Sequence, residues 1–220
     1  MPFAEPATTL TDYLLALAAW GWGLRLVRTR HDAARLMGLA FLATGLAAAV
    51  GGSLHGFGPR WSDAERAAAW LATYAAIGLA NLLLLGAAIR AFAPRAYELP
   101  LLGLCGFRFG VYLILLASHR EFRYVVYDLG GTLLALVVLA LLGRSTRAGA
   151  AAPWVLTGVA ITFAGALVQR TGVRFHEHFN HNDLFHLVQV AGLFAFYRAG
   201  TVLAGCAPRR GPQDSGTVSR

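Results

Sequence analysis

Residues 176–189 read HEHFNHNDLFHLVQ and run without a break into an apolar segment that ends near Ala204. Four of the seven histidines, His176, His178, His181 and His186, fall in this stretch beside Glu177, Asn182 and Asp183. On a helix, Asn182, His186 and Gln189 follow an i, i+4, i+7 spacing and share one face, with Asp183 flanking His186 at i+3. A polar stripe on an otherwise apolar helix needs a polar partner. Composition says what surrounds that partner.

Apolar residues make up 57% of the 220 and charged residues 14%, and the mean hydropathy is +0.55. This composition is that of an integral membrane protein, and the expected fold is all-α, a polytopic seven-transmembrane-helix bundle. The predicted spans are 11–26, with Thr11 or Asp12 as the cap, then 36–55, 67–89, 99–118, 124–142, 151–168 and 183–204. Residues 1–205 then form one transmembrane domain, and 206–220 a polar, disordered cytoplasmic tail. Cys105 lies within an apolar run and Cys206 just beyond another, so neither belongs to a disulfide framework. The first apolar run lacks a positive leader and reads as a retained helix rather than a cleaved signal.

The net charge of +8 comes with 19 arginines and no lysine. These arginines sit mainly between the apolar runs, which argues for a role in orientation and against nucleic-acid binding. Twelve lie in the loops after the first, third and fifth predicted spans or around the end of the seventh, against six in the opposite loops. That bias predicts the N-terminus outside and the C-terminus in the cytoplasm of a cell membrane. His55, His119, His176, His178, His181 and His186 then gather at the outer face, and only His31 is cytoplasmic.

Two short motifs stand out within this layout, GGSLHGF at the end of the second span and NDLFH opening the seventh. With the seven spans they resemble the CREST superfamily of membrane hydrolases, which includes alkaline ceramidases and the progestin and adipoQ receptors. The resemblance implies a zinc site built from the second, third and seventh helices, whose bound water cleaves lipid amides. His55 matches the second-helix histidine and His186 the later histidine of the seventh-helix HxxxH motif. Asn182 stands at the earlier position of that motif, with His181 adjacent. Ser53 precedes His55 by two residues rather than four, and the third span has no aspartate.

Neutral imidazoles bind zinc well, and a catalytic zinc typically has three protein ligands and a water. His55 and His186 with His181 or Asp183 are the candidate ligands, Ser53 and Asp128 the candidate catalytic residues, and Arg108, Asn182 and Gln189 the candidate substrate contacts. Each has a purely structural alternative. Asp183 suits the first turn of a helix capped by Asn182, Ser53 and Gln189 suit interhelical hydrogen bonds, and His176 and His178 suit a solvated loop. Arg108 and Asp128, ionisable and inside spans, suit a pair with each other. Membrane lipids are the expected partners. Two other functions fit the same residues: a channel, transporter or metal sensor, and a haem protein with His55 and His186 as axial ligands.

Overall fold

The computed structural model describes residues 4–172, 176 and 179–206. The predicted tail, apart from Cys206, lies outside them, as do Glu177 and His178. Among the described residues the chain forms seven long α-helices and no sheet. They are α1 (Pro6–Val27), α2 (Asp32–Phe57), α3 (Asp63–Phe92), α4 (Arg95–His119), α5 (Phe122–Leu142), α6 (Ala152–Thr171) and α7 (His181–Gly205). All but α1 are long and apolar enough to cross a membrane. Large apolar side chains such as Leu104, Phe107, Ile114, Leu134 and Phe163 lie exposed along the helices, the pattern expected where the surrounding medium is lipid.

Three predicted helix starts shift for identifiable reasons. Pro6 occupies the first turn of α1, where a missing N–H costs nothing, so the helix begins five residues before Thr11. Thr11 and Asp12 are therefore not caps but buried members of the second turn. Ser62 caps α3 in a reciprocal box with Glu65, extending it four residues before the predicted start at 67. On α7 the cap is Asn180 rather than Asn182, and Asp183 closes the box by accepting from the Asn180 backbone N–H at 2.7 Å.

Six helices form a ring in which α1 packs on α2, α2 on α3, α3 on α5, α5 on α6, α6 on α7 and α7 back on α1. Helix α4 lies outside the ring, packed on α3 and only lightly on α5. The main hydrophobic core, with Leu26, Met37, Phe41, Ile89, Leu136 and Leu203, fills the end of the ring near His31. His55, His119, His181 and His186 belong to the opposite end, called here the histidine end. One end of the bundle is thus plugged by apolar packing. The other holds the polar residues.

The α1–α2 pair depends on glycine at one crossing. A Cβ on Gly38 would lie 2.7 Å from the Val27 backbone nitrogen and 2.9 Å from the Gly23 carbonyl oxygen, neither of which can rotate away. Gly38→Ala is expected to destabilise the protein by about 1–3 kcal/mol. Gly21→Ala, where nothing lies within 4 Å, is the control and should leave the thermal midpoint of the detergent-purified protein unchanged or slightly raised. Equal midpoints for the two variants would refute the close crossing.

Candidate functional site

The ring encloses a cavity of about 410 Å³, lined by α1, α2, α3, α5, α6 and α7 but not by α4. On α2 the lining runs from Ala40 to His55, fifteen residues or about 22 Å along the axis. Most of the wall is apolar. Asn182, His186 and Gln189, the stripe on α7, all line it, and so does His55. Asn182 also accepts a hydrogen bond from Gln169 Nε2 at 2.8 Å, which ties α6 to α7.

His186 reaches α1. Its Nε2 lies 3.3 Å from Asp12 Oδ1 and its Nδ1 3.1 Å from Thr11 Oγ1. Thr11 Oγ1 also faces the Ala7 and Thr8 carbonyl oxygens at 3.1 and 3.0 Å, which only accept. With the Thr11 proton on either carbonyl, the hydroxyl oxygen accepts from His186 Nδ1–H, and Nε2 and Asp12 Oδ1 share one proton between them at 3.3 Å. Asp12 and His186 both line the cavity, with side chains only 6% and 12% exposed.

Across this end, His55 Nδ1 pairs with Glu5 Oε2 at 3.2 Å. The backbone N–H groups of Ala4 and Glu5 donate to the Gly56 and His55 carbonyls, so the segment before α1 is strapped over the end of α2. The His55 ring meets Trp70 edge to face with centroids 5.9 Å apart. Trp70, Tyr74 and Phe122 continue the aromatic wall at 5.6 and 5.7 Å.

The remaining candidates go elsewhere. Asp183 is fully buried, but both of its oxygens are taken, one by Thr8 Oγ1 at 2.8 Å and the other by the Asn180 backbone. It is a helix cap and an α1–α7 tie, not a free ligand. The buried Nδ1 of His181 has no hydrogen-bond partner, and the residue does not line the cavity. Ser53 donates to the Ala49 carbonyl at 2.8 Å and meets Tyr13 Oη at 2.9 Å, which leaves it interhelical rather than beside a base. His176 is exposed.

Arg108 and Asp128 meet each other instead of the cavity. Arg108 Nη2 is 3.4 Å from Asp128 Oδ1 and donates to Thr132 Oγ1 at 2.8 Å, while Nη1 donates to the Asp128 carbonyl at 3.2 Å. Asn81 Nδ2 donates to Asp128 Oδ2 at 2.8 Å. The catalytic role expected of Asp128 and the substrate role expected of Arg108 thus give way to a pair that fastens α4 to the α3–α5 seam. A buried charge is most cheaply held by an opposite charge and hydrogen bonds.

The donor set does not make the expected zinc centre. His186 Nδ1 meets Thr11 and Nε2 faces Asp12, and both Asp183 oxygens accept hydrogen bonds within the protein. No three His, Cys, Asp or Glu side chains come together as a metal-ligating group among the described residues. A haem iron would likewise have to displace Thr11 or Asp12 from His186.

Asp12, Thr11, Thr8 and Glu5 were not among the sequence candidates, although TTLTD carried a signal. Thr8, Thr11 and Asp12 share a helix face with the buried Leu15 and Ala19, a polar start to an inward stripe. No curated protein and no solved structure matches the chain. A family of unknown function (DUF6962) matches residues 7–204, nearly the whole of α1 through α7, and the chain belongs to that family.

Proposed function

We propose that this protein is an integral membrane hydrolase of acyl amphiphiles, with lipid amides as the substrate class. The observation that carries the reading is one cavity, apolar for most of its length, with the Asp12–His186 pair at its polar end. In this reading all seven helices cross the membrane, the N-terminus and the histidine end face outward, and the C-terminus is cytoplasmic, as the arginine bias supports. The substrate tail occupies the apolar wall, and its carbonyl sits at the histidine end.

With no proton held between Asp12 and His186, Nε2 takes one from water as the water oxygen bonds to the carbonyl carbon. Asp12 stabilises the resulting imidazolium, and Thr11 holds the ring and its tautomer. The C–N bond then breaks as Nε2–H delivers the proton to the departing nitrogen, leaving acid and amine. No step runs through a metal. The apolar packing at the far end, with Leu26, Met37, Phe41 and Leu203 buried there, supports this reading over a channel.

The test is turnover of a tail-labelled N-acyl amide by the protein in nanodiscs. His186→Gln should lower kcat by about 10²–10⁴-fold with the fold intact, and Thr11→Val by less. His31→Ala, at the opposite end, should match wild type. Undiminished turnover by His186→Gln would overturn the assignment. Binding without turnover by wild type would favour a lipid sensor or carrier, and turnover abolished by a chelator would favour zinc.

A further inference from the structure

The chain has 19 arginines, yet none of those among the described residues lines the cavity. The ionisable side chains in the lining are Asp12, His55, Tyr74 and His186, and Glu5 adds a second carboxylate at the rim through His55. Of the arginines in nearby turns, Arg66 pairs with Asp63 and Arg123 with Glu121, while Arg60, Arg120 and Arg170 lie outside the cavity lining. Helices α1, α3, α5 and α7 all begin at this end, and their positive dipole ends would favour an anion. All four starts already have acidic residues in place, Glu65 and Asp183 in capping boxes and Glu5 and Glu121 at the N-cap positions of α1 and α5. Among the described residues that line the cavity there is no arginine to neutralise a phosphate, sulfate or carboxylate.

The aromatic wall points the other way. Trp70, Tyr74 and Phe122 line the cavity while Trp70 and Phe122 are also 36% and 48% exposed, so the rings frame its mouth. Aromatic faces beside carboxylates attract organic cations, and quaternary ammonium groups most characteristically. We infer that the amphiphile held in this cavity carries a cationic head, an amine or quaternary ammonium, seated between the Trp70–Tyr74–Phe122 wall and the carboxylates of Glu5 and Asp12. This rests on the reading of the cavity as an amphiphile site and narrows its ligand class.

The test is competition against a tail-labelled fluorescent probe in nanodiscs of zwitterionic lipid, using ether-linked amphiphiles of one tail with trimethylammonium, hydroxyl or sulfate heads. The ether linkage keeps hydrolysis out of the readout. The trimethylammonium compound should bind about tenfold more tightly than the hydroxyl compound, and the sulfate most weakly. Glu5→Gln and Trp70→Leu should each shrink that preference several-fold, read as the ratio of the two affinities within each variant, and Trp70→Phe should retain it. Equal affinity for all three heads, or tighter sulfate binding, would overturn the cationic head yet leave the amphiphile cavity standing. Failure of every head to compete, and of the probe itself to bind, would overturn both.

Discussion

Arg108→Ala is expected to destabilise the protein by about 3–5 kcal/mol, the cost of leaving a buried carboxylate without its counter-charge. Asp128 has a side chain only 5% exposed, and Arg108 provides the cation that faces it. The same arginine donates to Thr132 and to the Asp128 carbonyl, so its loss also opens the contact between α4 and α5. Because α4 lies outside the ring and touches α5 lightly elsewhere, few other contacts can compensate. Asp128→Asn should cost less, since the amide oxygen can still accept from Asn81 and no buried anion remains. A double variant, Arg108→Met with Asp128→Leu, should recover much of the loss. The measurement is reversible unfolding in detergent or bicelles, with each of the three variants compared against the wild type. A neutral Arg108→Ala would mean that the pair does not hold α4.

Asp183→Ala should cost about 2–4 kcal/mol, from the loss of a helix cap together with a charge-assisted hydrogen bond to another helix. Its two oxygens serve different purposes: one accepts from Thr8 on α1, the other from the backbone N–H of Asn180. The substitution therefore frays the start of α7 and loosens it from α1 at once. Thr8→Val breaks only the interhelical bond and should cost less than half as much. Because His186 lies three residues further along α7 and meets Asp12 and Thr11 on α1, turnover should fall more in Asp183→Ala than in Thr8→Val. If both variants lose the same stability, the cap contributes nothing and the interhelical bond carries the whole effect.

The helices were legible in the sequence for a direct reason. A bilayer requires runs of about 20 apolar residues with every backbone group bonded within the run, so length and composition alone report them. The predicted intervals at 36–55, 67–89, 99–118, 124–142 and 183–204 fall within observed helices, and 151–168 starts one residue before α6, with ends that moved by a few residues where Ser62 and Asn180 cap them. The inward stripe of Asn182, His186 and Gln189 was legible too, because residues on one helix face are set by helical periodicity. What periodicity cannot state is which distant residue meets that face. Thr8 and Asp183 are 175 positions apart, as are Thr11 and His186. Their meeting depends on α7 returning to α1 to close the ring. Read locally, Asp12 looks like a cap, whereas Asp128 already suits a pair with Arg108, since both are ionisable and inside spans. Tertiary packing gave Asp12 to His186, because in a low-dielectric interior each buried polar group must find its partner wherever the folded chain brings one.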